Sequence, residues 1–358
     1  MSRIIVQISL PLLVTMLFMF ALRPVARGLG LIDRPGGRKM HLGEIPVIGG
    51  LSMTLGFLIA SMFSTTAVQD YPFFIAAVLL LVAIGSLDDR YDLPPSVRFL
   101  AQICAALLMV AGADVVVSDL GTIFFGGVVE LGWLSVPFTV LIVLTAINAF
   151  NMFDGSDGVA GGQAVVSLVF IGFACIFSGT LQYVPVIAGL CGCVLGFLVF
   201  NWPSKRTINV RAFMGDAGST MIGFCLAWIS IEISQDPQRV ITPIVILWIF
   251  ALPIFDLFSS MVRRVLRGQS PFHGDSEHLH HVLKRQWGLS SRRVAQCVLL
   301  VAAVLAGIGV GGHLLGVPDG WLFVAWLAAG VSYHRLFGST ESVTAQLPTD
   351  LVQKKPAA

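Results

Sequence analysis

Apolar runs of about bilayer length, broken by short polar stretches, dominate the chain from end to end. A membrane-crossing helix needs about 20 mostly apolar residues, with a range of about 17–25. By that measure the pattern predicts eleven spans, at 4–22, 46–64, 71–87, 97–113, 134–150, 159–178, 181–200, 214–232, 240–258, 294–315 and 321–336. The first run lacks a small-residue cleavage site and is followed by Arg23-Pro24-Val25-Ala26-Arg27, so it reads as an uncleaved span and not a signal peptide. Between the fourth and fifth spans, Thr122–Leu131 sets β-rich flanks around Gly126-Gly127, the pattern of a hairpin. From Gly338 onward the chain is polar and is expected to be disordered. The expected architecture is an all-α polytopic membrane protein. It has an integral domain at 1–337, a cytoplasmic tail at 338–358, a small extracytoplasmic β-hairpin and polar cytoplasmic loops.

Composition removes the soluble alternative. Of 358 residues, 56% are hydrophobic and 12% charged, against about 25% charged in soluble domains. Cys104, Cys175, Cys191, Cys193, Cys225 and Cys297 all lie in apolar runs and form no CxxC pair. They give neither a disulfide framework nor a thiolate metal site. A net charge of +2 decides nothing, but its distribution does. If the connections are numbered alternately, 20 of the 22 Lys and Arg fall on one side, and only Arg3 and Arg239 fall on the other. Cytoplasmic loops carry the excess of Lys and Arg. The N-terminus is therefore expected outside and the C-terminus in the cytoplasm.

The same cytoplasmic connections hold nearly all the polar chemistry. The densest is Asn148-Ala149-Phe150-Asn151-Met152-Phe153-Asp154-Gly155-Ser156-Asp157-Gly158, with two Asn and two Asp among glycines. A plain turn between helices needs one Asp or one Gly, not this density, and polar groups at the edge of membrane spans are functional candidates. The first connection carries Arg38, Lys39 and His41, which suit phosphate but also suit a generic topology signal. The second is Leu87-Asp88-Asp89-Arg90-Tyr91-Asp92, then Arg98. Adjacent carboxylates at a helix C-terminus oppose the macrodipole, at about 0.3–1 kcal/mol each. Capping therefore fails to explain them, and a hard cation or proton handling at a phosphate explains them better. The fourth, Phe213-Met214-Gly215-Asp216-Ala217-Gly218-Ser219-Thr220, opens an apolar helix. Asp216 there suits an N-cap or a phosphate site equally. The fifth holds His278-Leu279-His280-His281. His278 and His281 share a face if the segment is helical, and the Arg and Lys around them favour anion binding over a transition metal. With an acidic set, basic groups and a Gly-rich stretch on one membrane face, the chain reads as carrying phosphoryl chemistry. That chemistry would join a lipid to a charged cytoplasmic donor.

Taken together, these motifs resemble the polyprenyl-phosphate N-acetylhexosamine-1-phosphate transferase superfamily over nearly the whole chain. The His-x-His-His and Leu-Asp-Asp-Arg-Tyr-Asp forms look most like the bacterial branch that makes undecaprenyl-pyrophosphate-GlcNAc, the start of O-antigen and related surface glycans. The resemblance implies transfer of a sugar-1-phosphate from a UDP-N-acetylhexosamine to undecaprenyl phosphate, with release of UMP. It implies Mg²⁺, with Mn²⁺ as an alternative, held by Asn151 and Asp216. Phe213 would stack on uracil and Asp157 would hydrogen-bond it. Asp88 and Asp89 would orient or deprotonate the lipid phosphate, with Asp154 as a further catalytic carboxylate. Arg38, Lys39, His41 and Arg98 would bind substrate, Arg98 standing where relatives often carry Lys. His278, His280 and His281 would contact donor phosphate or sugar. The setting would be the bacterial inner membrane with a cytoplasmic active site, no nucleic acid, and room for a homodimer. Direct attack by the lipid phosphate is expected over a covalent relay, because that phosphate is already a charged nucleophile. Two other readings fit the residues less well. CDP-alcohol phosphotransferases need an Arg after Asp157-Gly158-Val159-Ala160, where Gly161 stands. A lipid-linked-sugar flippase should line its spans with charge, whereas these charges cluster at one end.

Overall fold

The apolar periodicity resolves into fourteen helices in a computed structural model, which describes residues 2–34, 43–62, 72–205, 207, 210–271 and 277–338. Arg38, Lys39 and His41 and the tail beyond 338 lie outside the described residues. In chain order the helices are α1 (Ser2–Leu22), a short α2 (Ala26–Leu29), α3 (Gly49–Met62), α4 (Pro72–Tyr91), α5 (Pro95–Leu107), α6 (Ser135–Phe153) and α7 (Val159–Phe177). There follow α8 (Val184–Asn201), α9 (Gly215–Gln235), α10 (Pro243–Ile249), α11 (Ala251–Leu266), α12 (Leu279–Gln286), α13 (Ser291–Leu314) and α14 (Asp319–Tyr333). Each of the eleven apolar runs meets a helix. Among the described residues eight helices are long and apolar enough to cross a membrane, and the α10–α11 pair makes a ninth if it counts as one span. α3 and α14 are shorter than a spanning helix.

The chain bends by 79° between α10 and α11. Pro253 explains the break, because it has no N–H for the Ile249 carbonyl and its ring clashes with that carbonyl. The run 240–258 is therefore not the straight span that its hydropathy suggests.

α9 is the axis of the fold. It is buried along nearly its whole length and packs against α3, α4, α6 and α7. Its Phe224 and Trp228 pack edge-on, 5.7 Å apart, and Phe74 from α4 lies 5.2 Å from Trp228. Just before α9 the chain is clamped to the segment leading into α3. Phe213 N donates to Pro46 O (2.9 Å), Gly49 N to Phe213 O (3.0 Å) and Gly50 N to Met214 O (2.9 Å).

The hairpin expected at 122–131 is corrected. The two-stranded sheet pairs β1 (Ile32–Asp33) with β2 (Ile45–Pro46), and the outer loop has only an isolated antiparallel bridge, Asp119 to Glu130. Backbone bonds close the base of the loop, Leu120 N donating to Val129 O (2.9 Å), Val129 N to Gly121 O (2.9 Å) and Leu131 N to Ser118 O (2.8 Å), and side chains hold it to its surroundings. Arg239 forms an ion pair with Asp119, the Gln235 amide bonds to Ser118 and to Asp119 O, and Thr122 bonds to Asp319. Phe124 and Phe125 pack edge-on against Phe323 and Trp321 of α14, which draws the Gly126-Gly127 tip onto that helix and away from a regular ladder.

Candidate active site

Four helix ends meet where the polar stretches converge: the C-termini of α4 and α6 and the N-termini of α5 and α9. Asp88 is buried at the end of α4. It accepts from Leu93 N (2.7 Å) and from Arg98 Nη1 (3.1 Å), and that same nitrogen lies 3.9 Å from Asp216 Oδ2. Arg98 thus ties Asp88 to Asp216. Asn151 Nδ2 donates to Asp216 Oδ1 (2.5 Å) and to Ser219 Oγ (2.9 Å). The two expected metal-binding residues are therefore side by side.

Asp89 corrects the dipole argument. Its Oδ1 accepts from Asp216 N (2.8 Å) and its Oδ2 from Ala217 N (3.3 Å). It opposes the dipole of the helix that it ends but caps the N-terminus of another, α9, where a negative charge is favoured. Gly215 makes this approach possible. It has φ +74°, and a Cβ there would collide with the Asp89 carboxylate and with Val47. Asp216 is consequently not the cap of α9. It sits in the first turn, with its carboxylate turned to Asn151 and Arg98.

The 154–158 turn lies beside this group. Protein surrounds the Asp154 carboxyl, although its edge is partly accessible. Burial, with Asp216, Asp157 and Asp89 nearby, holds that carboxyl well above the usual carboxylate range. Asp157 forms an ion pair with Arg211, whose guanidinium lies over the Phe213 ring, 5.1 Å from its centre. Lys284 of α12 completes this corner. Burial lowers its pKa; Asp157 acts to raise it and Arg211 to lower it further.

The histidines join the site from the far side. A Cβ on Gly155 would collide with the His280 ring, so the imidazole lies flush against the 154–158 turn. His280 is buried, and neither ring nitrogen has a hydrogen-bond partner among the described residues. Burial, then the charge of His281, pushes its pKa well below 6.5 and keeps the ring neutral. His281 is lowered by burial and by His278. The expected His278–His281 helical face does not form. α12 begins at Leu279, and His278 is extended at its N-cap. Asp256 of α11 causes this: it accepts from Leu279 N (3.0 Å) and Tyr333 Oη (2.9 Å), and His278 Nδ1 lies 2.8 Å from its Oδ2.

Two polar residues of the dense stretch hold helices together. Asn148 Nδ2 donates to Gln102 Oε1 (2.7 Å) on α5. Gly158 N donates to Asn201 Oδ1 (2.7 Å), and Asn201 Nδ2 in turn donates to Ala212 O (2.9 Å). Sequence reasoning missed Gln102, Arg211, Ser219, Asp256, Lys284 and Tyr333. An Asp inside an apolar helix was the one available signal, and it pointed to Asp256.

Among the described residues no three His, Cys, Asp or Glu side chains form a ready metal cage. The donor set still fits Mg²⁺, which binds through one or two carboxylates and completes its shell with water and substrate phosphates. Asp216 supplies hard carboxylate oxygens, and Asn151, whose Nδ2 faces Asp216 here, would offer its amide oxygen on turning the amide over, with Asp88 bridged to Asp216 by Arg98.

A family model described as glycosyl transferase family 4 matches residues 71–234, which include Asp88, Asp89, Arg98, Asn151, Asp154, Asp157, Phe213 and Asp216. The undecaprenyl-phosphate alpha-N-acetylglucosaminyl 1-phosphate transferase of Escherichia coli (strain K12) is 36% identical over 322 residues, covering 90% of this chain and 87% of its own. The proteins of that name from Yersinia pestis and Haemophilus influenzae are 36% and 35% identical over 313 and 310 residues, 87% of this chain each and 85% and 87% of their own. With that identity over nearly the full length, and with the motif residues gathered at one end of the helices, the chain belongs to glycosyl transferase family 4, among the bacterial polyprenyl-phosphate sugar-1-phosphate transferases that its motifs resemble.

Proposed function

We propose that the protein transfers GlcNAc-1-phosphate from UDP-GlcNAc to undecaprenyl phosphate, forming undecaprenyl-pyrophosphate-GlcNAc and releasing UMP at the cytoplasmic face of a bacterial inner membrane. One observation carries this reading: Asp88, Asp89, Arg98, Asn151 and Asp216, drawn from four helices, meet in a single bonded group beside Asp154.

In this reading a lipid-phosphate oxygen attacks the β-phosphorus of the donor, the bond to the α-phosphate oxygen breaks, and UMP leaves with that electron pair. Catalysis of this kind is mostly positioning and electrostatics. Mg²⁺ held by Asp216 and Asn151 would neutralise charge on the pyrophosphate. Asp89 fixes the first turn of α9, and so the direction of Asp216. Arg98 holds Asp88 in place and offers a cation to the incoming phosphate. Burial and the neighbouring carboxylates raise the Asp154 carboxyl, and in its protonated form it can donate a hydrogen bond to the pyrophosphate. Phe213 stacks on uracil and Asp157 accepts from it. His278, oriented by Asp256, and His280 approach the donor phosphate or sugar from the α12 side.

The test is UMP release by purified protein given undecaprenyl phosphate, Mg²⁺ and either UDP-GlcNAc or UDP-GalNAc. UMP is expected with UDP-GlcNAc, and only when the lipid phosphate is present. Transport of a lipid-linked sugar without UMP release would overturn the reading.

A further inference from the structure

Arg211 already occupies both groups on which the proposed function places uracil. Its guanidinium lies over the Phe213 ring and is paired with Asp157. Its Nε is buried and makes no hydrogen bond among the described residues. A guanidinium is planar, stacks on aromatic faces and donates in its plane to a carboxylate. Uracil is also planar, also stacks, and presents an N–H in its plane. The two cannot hold that ring face and that carboxylate at the same time.

We propose that Arg211 is a resident stand-in for the nucleobase: it closes the empty base site and, once displaced by uracil, turns its charge to the donor pyrophosphate. This rests on the assignment of Phe213 and Asp157 to the base, and it adds how the site selects a phosphorylated ligand. The backbone on both sides of Arg211 is pinned. Arg23 donates to Arg211 O (3.3 Å), Asn201 to Ala212 O (2.9 Å) and Phe213 N to Pro46 O (2.9 Å). Displacement is thus a rotamer change of one side chain. Asp216, beside which the pyrophosphate is placed, is five residues further on. Asp157 is not stranded by the move, because it gains the base N–H and keeps Lys284 nearby.

The consequence is discrimination. A bare nucleoside replaces the stacked contact and the bond to Asp157 but leaves the released guanidinium without an anion. The intact donor offers the released guanidinium a charge-assisted bond to phosphate.

The experiment measures calorimetric binding of uridine and of UDP-GlcNAc to the full chain in one detergent, for wild type, Arg211→Ala, Arg211→Lys and Phe213→Ala. Arg211→Ala should bind uridine about fivefold more tightly, the size of a weak, half-buried ion pair plus a cation–π contact that no longer has to be broken. The same variant should bind UDP-GlcNAc about tenfold or more weakly, having lost a bond between charged groups. Opposite shifts for two ligands of one site are not produced by a merely structural residue. Arg211→Lys keeps the charge without the plane and should also tighten uridine, with a smaller loss for the donor; it carries the test alone if Arg211→Ala does not fold. Uridine affinity unchanged or weakened in the folded Arg211 variants overturns the stand-in. Unchanged uridine affinity in Phe213→Ala overturns the base site itself, and the stand-in with it.

Discussion

Replacing Asp89 separates a positioning role from direct chemistry. In the structure both of its oxygens are used by the first turn of α9, at 2.8 Å from Asp216 N and 3.3 Å from Ala217 N. Asp89→Asn keeps one accepting oxygen and loses the charge. A charge at a helix end contributes about 0.3–1 kcal/mol, and up to about 2 in partly buried geometry. Asp89→Ala also leaves two N–H groups without an acceptor, and loss of an N-cap costs about 0.5–2 kcal/mol. The expected losses are therefore about 1 kcal/mol for Asn and about 2–3 kcal/mol for Ala. A domain of 150–250 residues shifts by about 2–4 °C per kcal/mol. The thermal midpoint should thus fall by about 2 °C for Asn and about 6 °C for Ala. Activity should follow geometry: within about tenfold of wild type for Asn, but about a hundredfold lower for Ala, because Asp216 rides on the loosened turn and a shift of about 1 Å is that costly. UMP release and the thermal midpoint are measured on the same preparations. A thousandfold loss of turnover in Asp89→Asn at an unchanged midpoint would show that the charge acts on substrate, and the capping role would fall.

Asn148→Ala should lower the thermal midpoint while leaving kcat and KM near wild type, since Asn148 ties α6 to Gln102 of α5. Hydrogen bonds between membrane helices average about 0.6 kcal/mol, with a maximum of about 1.7; a tenfold drop in kcat at an unchanged midpoint would make Asn148 part of the chemistry. His280 is neutral when folded and takes a proton below 6.5 when unfolded, so its contribution is complete above 6.5 and is lost on acidification, by about 1.4 kcal/mol per pH unit. The raised Asp154 acts with the opposite sign, so the midpoint is followed in Asp154→Asn, in EDTA, from about pH 5 to 7; adding His280→Gln should flatten the slope, and an unaltered slope refutes the buried neutral ring. In a chain stripped of its own cysteines, Ser204→Cys should react with an impermeant thiol reagent only from the cytoplasmic side and Gln182→Cys only from outside, as the distribution of Lys and Arg requires; the reverse pattern inverts the topology. With all polyprenyl phosphate removed, labelled UMP should not exchange into UDP-GlcNAc, and exchange at a rate near turnover, abolished in Asp88→Asn, would establish a covalent intermediate.

What could be read from the sequence and what could not divides along one physical line. Helix positions follow from apolar periodicity, a local property, and each of the eleven apolar runs meets a helix. The clustering of polar groups at one end follows from run lengths and is local too. The task of each polar residue depends on its partner, and the partners are distant. Asp89 looked unfavourable at the end of its own helix, and its explanation lies 127 residues away in the N–H of Asp216. His278 is kept out of the helix by Asp256, 22 residues earlier on α11. Pro253 was a local signal and did announce the α10–α11 break, but a hydropathy window averages it away.

The polar stretch at Asn148–Gly158 therefore marks the site for two reasons at once. Asn151, Asp154 and Asp157 face the proposed chemistry. Asn148 and the Gly158 amide instead bind helices α5 and α8 to the turn through Gln102 and Asn201. The second set follows from the first. Asp88, Asp154 and Asp216 are held close together, with repulsion acting on Asp154 from Asp216, Asp157 and Asp89, and apolar contacts alone would let the helix ends splay. Polar ties between helices, the Arg98 bridge and the Asp89 cap resist that repulsion before any substrate arrives. Polar density at a membrane interface is thus a sound sign of a site but a poor census of its reacting groups. A residue that bonds, in the substrate-free state, to a group outside the converging carboxylates, as Asn148 does to Gln102, is first a candidate for positioning. One that touches only its neighbours in the catalytic turn, or holds a displaceable partner as Asp157 does, is first a candidate for contact with substrate.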